Sequence, residues 1–143
     1  MSINDADQKA GEIARDMHEK DPVARNLAIS LDEARAGYAR ITMRVGDHMV
    51  NAYGTTHGGY SFILADTAFG LASNNRGRKS FAQAAHITFM TFGKPGELLT
   101  AVAEERSVSG RTGIFDATVY GEDGRVVAEF NGLSRAVKGP SGV

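Results

Sequence analysis

Residues 58–73 have the length of a helix but no polar face. Leu64, Ala68 and Leu71 fall on one side of such a helix. Phe62, Ile63 and Phe69 fall on the other, flanking Asp66. A helix that is apolar nearly all round must be enclosed. Lipid cannot enclose it, because the longest apolar stretch, Phe62 to Ala72, is only eleven residues and contains Asp66. The walls must therefore come from the rest of the chain.

The chain beyond the helix supplies them. After a turn at 74–79, alternating segments run over Phe81–Phe92, Glu97–Val108, Arg111–Gly121 and Val126–Val137. They are separated by Gly93-Lys94-Pro95-Gly96, by Ser109-Gly110 and by Glu122-Asp123-Gly124-Arg125, the last a typical hairpin sequence. Before the helix, Ala39, Ile41, Met43 and Val45 alternate with Tyr38, Arg40, Thr42 and Arg44, as in a half-exposed strand. Residues 46–59 lose periodicity and hold four glycines with Asn51, Tyr53 and His57, an ordered loop. Residues 8–20 predict a short amphipathic helix on the stripe Ala10, Ile13, Ala14 and Met17, stopped by Pro22. Residues 1–7 and 138–143 are expected to be loose tails. Consecutive strands with no helices between them exclude a parallel α/β sheet. The economical arrangement is α+β: one antiparallel sheet curled around the apolar helix, in outline the hotdog fold. A ferredoxin-like sandwich would need a second long helix between strands.

At 143 residues, the chain suits a single domain spanning 1–143. Sixteen basic and seventeen acidic residues without a like-charged run argue against nucleic-acid or membrane partners. With no cysteine, disulfides, thiol catalysis and cysteine-bound metals are excluded. Acidic residues interrupt positions 1–25 too often for a signal peptide, so the expected compartment is the cytoplasm.

Several chemistries fail on spacing. Gly59-Tyr60-Ser61-Phe62-Ile63 lacks the second glycine of a nucleophile elbow. His18, His48, His57 and His86 show no metal-ligand spacing, and no phosphate-binding glycine loop follows a strand. Asp66 is what remains. A carboxylate in so apolar a segment is costly unless paired or at work, the plainer alternative being a polar gap or a hydrogen bond to backbone. The helix is entered through His57-Gly58-Gly59, which promises open amides at its positive end, although two glycines also suit a tight turn. A desolvated carboxylate and an oxyanion-ready helix start together favour acyl transfer.

The stretch from Asn51 through His57, Gly58, Gly59 and Asp66 to Phe69 resembles the hotdog acyl-CoA thioesterases of the phenylacetate-pathway PaaI type. Weaker matches lie at Met17–Asp21, Ile87–Met90 and Gly110-Arg111-Thr112. The resemblance implies that the Gly58 N–H polarises the thioester carbonyl and that Asp66 is general base or nucleophile. Asn51 would orient the thioester or water, and His57 would shape the loop and assist. Some relatives hold the water with a serine or threonine after the helix. Here Ala82, Ala84 and Ala85 stand nearby, leaving Thr67, Ser80 or Gln83. For the CoA moiety, the resemblance favours Gly110, Arg111 and Thr112. Arg76, Arg78, Lys79 and Arg106 are further cations that suit its phosphates.

The implied activity is hydrolysis of a small aryl- or arylacetyl-CoA such as phenylacetyl-CoA, with no metal or other cofactor. A non-catalytic acyl-CoA-binding or regulatory domain is the rival. A hydratase would need a histidine paired with an acid, and no such pair is apparent. Gly58 and Asp66 are eight residues apart, about 12 Å along one helix. Donor and base must both come within roughly 3 Å of one thioester. The expectation is therefore a homodimer whose sites take Asn51 and Gly58 from one protomer and Asp66 from its partner. The resemblance further implies a homotetramer.

Overall fold

The computed structural model describes residues 3–138. Helix α1 covers Ile3–Glu19 and a short helix α2 covers Pro22–Asn26. Strands β1 (Ser30–Arg35) and β2 (Tyr38–Arg44) precede the long helix α3 (Gly58–Asn74). Strands β3 (Ser80–Phe89), β4 (Leu98–Ser109), β5 (Thr112–Tyr120) and β6 (Val126–Ala136) follow it. The six strands form one sheet in the order β1-β2-β4-β5-β6-β3, antiparallel throughout. It is the hotdog arrangement expected from the sequence.

Period-two alternation turns one face of the sheet onto α3. Ala39, Ile41 and Met43 of β2, Leu99, Ala101 and Ala103 of β4, Phe115, Ala117 and Val119 of β5, and Ala128 and Phe130 of β6 are all buried. They enclose Leu64, Ala65, Ala68, Phe69, Leu71 and Ala72 of α3 in one core. The Phe69 ring lies 5.6 Å from the rings of both Phe115 and Phe130. Gly132 makes room for it, since a Cβ there would stand 2.9 Å from two carbons of the Phe69 ring.

The N-terminal region departs from expectation. The first helix begins at Ile3, so residues 3–7 are helical rather than a loose tail. Asp5 suits the positive end of that helix, and Asp7 accepts the Ala36 N–H at 3.0 Å, tying α1 to the β1–β2 turn. Residues 1–2 and 139–143, the remainder of the two expected tails, lie outside the described residues. Pro22 both ends α1 and begins α2, with Asp21 capping it by accepting the N–H groups of Val23 and Ala24. Strand β1 escaped the periodicity because its register shifts between Leu31 and Glu33, breaking the alternation.

Strand β3 is unlike the others. It pairs only with β6 among the described strands, and eight of its ten residues are exposed. Phe81 is 61% exposed, and Met90, just past its end, is 62% exposed. It stops at Phe89 rather than Phe92, although the N–H groups of Met90 and Thr91 still reach the Val127 carbonyl. No helix among the described residues is long and apolar enough to cross a membrane.

Candidate active site

Asp66 stands in the middle of α3. Its stripe on the helix, Ile63, Asp66, Thr67 and Gly70, faces away from the sheet onto the end of α1 and the start of α2. Together with Met17, Asp21 and Val23 these residues line a groove of about 430 Å³. Phe62 and Phe69, expected beside Asp66, instead pack against Phe130 in the core. The groove walls are Met17, Val23, Ile63 and Leu71. Burial among them pushes the Asp66 carboxyl above its ordinary range. Among the described residues, no hydrogen bond or ion pair reaches that carboxylate, so backbone pairing does not account for it. Of the three candidates for holding water, only Thr67 lines the groove. Ser80 donates its N–H to Asn74 beyond the helix end, and Gln83 falls in the register shift of β3.

The entrance to α3 is built by hydrogen bonds on both sides. The Thr56 N–H donates to the Gly93 carbonyl at 2.9 Å and the His57 N–H to the Met49 carbonyl at 2.7 Å. His57 is the N-cap, its Nδ1 accepting the Gly59 N–H at 3.2 Å. The helix start is thus less open than the glycines promised, because a histidine side chain takes one amide. The Gly58 N–H has no acceptor among the described residues. The Phe89 ring closes over Gly58, and a Cβ there would stand 3.1 Å from two ring carbons. Asn51 is turned inward on its own loop: its Oδ1 accepts the N–H groups of Tyr53 and Thr55, and its Nδ2 donates to Thr55 Oγ1. None of Asn51, His57 and Gly58 lines the Asp66 groove. One continuous helix keeps Gly58 and Asp66 apart by about 12 Å.

The cations divide. Arg76, Arg78, Arg111 and Thr112 line a narrow cleft past the C-terminus of α3. Arg76 pairs there with Glu105 at 3.0 Å, and Arg111 donates through Nε to the Ala136 carbonyl at 3.1 Å. Gly110 forms the tip of the β4–β5 turn at φ +58°, in open space. Lys79 lies over the Phe81 ring. Arg106, close to Arg111 in sequence, stands on the sheet face away from α3, where it pairs with Asp116 at 3.1 Å. Sequence reasoning missed Val23, Gly70 and Leu71 as groove residues, because nothing in the chain marks where α1 and α2 cross α3.

Comparison with known proteins agrees with this architecture. Residues 53–128 match the thioesterase superfamily model. The chain is 37% identical over 131 residues to the acyl-coenzyme A thioesterase PaaI of Escherichia coli K12, covering 92% of this chain and 94% of that protein. The solved structure of the E. coli PaaI protein, from the phenylacetic acid degradation operon, superposes with a TM-score of 0.91 at 36% identity, over 94% of this chain and 97% of that one. A hypothetical thioesterase from Streptococcus pneumoniae, solved with coenzyme A, superposes with a TM-score of 0.78 at 26% identity, over 86% and 95%. The sheet wrapped on one apolar helix, the family match over more than half the chain and these relatives together place the chain in the thioesterase superfamily, as a thioester hydrolase.

Proposed function

We propose that this protein hydrolyses acyl-CoA thioesters of small aryl or arylacetyl groups, phenylacetyl-CoA first among them, to the free acid and CoA. The observation that carries the reading is Asp66: a half-buried carboxylate with no partner among the described residues, opening on a groove of acyl size. In the general-base form, water gives a proton to Asp66 and attacks the carbonyl carbon. The Gly58 N–H stabilises the oxyanion. The C–S bond then breaks and the thiolate leaves as CoA thiol, taking the proton back. In the nucleophile form, Asp66 attacks the carbonyl carbon and the C–S bond breaks to expel CoA thiolate; water then opens the resulting anhydride, freeing the acid and Asp66 and giving its other proton to the thiolate. Asn51 orients thioester or water once it faces substrate, and His57 holds the helix start by its cap. The cleft of Arg76, Arg78 and Arg111, with Thr112 beside it, suits CoA phosphates, and Gly110 shapes the turn above it. The coenzyme A bound to the pneumococcal neighbour supports this class of ligand.

The site is completed by a second copy of the chain. An exposed ten-residue edge strand ending among Phe89, Met90 and Phe92 is an open template for pairing. Two β3 strands joined across a two-fold axis extend the sheet and set the start of one α3 beside the middle of the other. Two such dimers form the tetramer, and the compartment is the cytoplasm. A thiol-release assay over a panel of acyl-CoAs tests the activity. Release fastest from arylacetyl-CoA is expected, whereas tight binding with no CoA release would overturn the reading.

A further inference from the structure

Gly70 stands inside α3, one turn beyond Asp66, where alanine would be the better helix former. Neither crowding nor backbone conformation requires a glycine there. Apart from its chain neighbours and the backbone of its own helix, a Cβ at this position meets no heavy atom within 4 Å, unlike one at Gly132, and Gly70 is not among the residues with positive φ. The empty space belongs to the groove that Asp66 lines. Side chains on a helix lean toward its N-terminus, so any side chain at position 70 would project over Thr67 and Asp66. We propose that Gly70 sets the size of the acyl group admitted beside Asp66. The missing side chain is the floor of an acyl subsite whose walls are Met17, Val23 and Ile63. Those walls suit an apolar acyl group. Asp21 and Asp66, both on the groove, set their negative charge against an acyl chain ending in a carboxylate. The inference rests on the proposed site at Asp66 and adds which acyl groups reach it.

The test is Gly70→Leu, with Gly70→Ala as the intermediate step, read as kcat/KM for acetyl-CoA and phenylacetyl-CoA. The ratio favouring acetyl-CoA is expected to rise at least about tenfold in Gly70→Leu and by less in Gly70→Ala. Both variants should melt no lower than the parent, because alanine and leucine favour the helix. Equal losses on both substrates, no change on either, or an altered subunit count by light scattering would overturn the proposal. The last result would assign the space to packed protein rather than to an acyl group. The dissociation constants of the two thioesters for Asp66→Asn, with and without Gly70→Leu, decide position 70 separately from the chemistry. Normal turnover in Asp66→Asn alone would remove the base but leave that binding comparison in force.

Discussion

Replacing Glu97 with glutamine tests how the loop entering α3 is held. Glu97 is 8% exposed and accepts the N–H groups of Lys94 and Glu122 at 2.9 Å each. It also accepts both terminal nitrogens of Arg125, at 2.7 and 2.8 Å. Arg125 reaches on to the Phe92 carbonyl at 2.7 Å, next to Gly93, whose carbonyl holds the Thr56 N–H two residues before Gly58. The Arg125 hydrogen bonds chiefly, with the backbone donors, hold the Glu97 carboxyl down from 4.5 to about 2. A shift of that size at about 1.36 kcal/mol per unit corresponds to about 3 kcal/mol of stability at neutral pH. Because the folded-state pKa is depressed, this stability is fully present above the ordinary carboxylate pKa and is lost as pH falls through about 2. Urea unfolding at fixed protein concentration should show Glu97→Gln weaker by about 3 kcal/mol at pH 7, the gap shrinking to about 1 kcal/mol near pH 2.5. A gap under about 1 kcal/mol at pH 7, or one indifferent to acid, would refute the clamp.

Substitutions at three positions test the site itself. Asp66→Asn should lower turnover at least about 100-fold in a folded protein. Burial raises the Asp66 pKa, so the parent should lose stability as pH rises through it while the asparagine variant does not; parallel urea midpoints from pH 4 to 8 would contradict this. Gly58→Ala should lower kcat about tenfold or more by pressing on the Phe89 ring, and adding Phe89→Leu should recover much of it. Unchanged kcat in Gly58→Ala would show that the Phe89 ring yields to the added carbon and does not position that amide. Arg111→Ala should raise KM for acyl-CoA and leave the matching acyl-pantetheine thioester unaffected, since only the former carries the nucleotide phosphates. Equal changes on both would assign Arg111 to the fold.

The central elements were legible because their signals are local. An apolar helix with no polar face, and strands with period-two alternation ended by glycine turns, need no partner to be recognised. Strand β1 was not, because a register shift between Leu31 and Glu33 hides its period. Asp66 announced itself by contrast with its neighbours, and the spacing to Gly58 by helix geometry. The groove opposite Asp66 did not, since Met17 and Val23 come from helices more than forty residues upstream and their placement is purely tertiary. His57 shows the reverse limit. Two glycines suggested an open helix start, but whether the preceding histidine folds back onto Gly59 depends on a side-chain rotamer that composition does not encode. The inward turn of the Asn51 side chain onto Thr55 has the same origin.

Subunit mixing tests the shared site most directly. Asn51→Ala chains are co-refolded with Asp66→Ala chains, each parent being expected to be nearly inactive alone. Random pairing makes half of the dimers hybrids, and each hybrid holds one site with both residues intact. Thiol release should therefore return to roughly a quarter of the unmutated protein's rate. Hybrid dimers confirmed by mass spectrometry that recover no activity would place Asn51 and Asp66 in one chain's site and contradict the account.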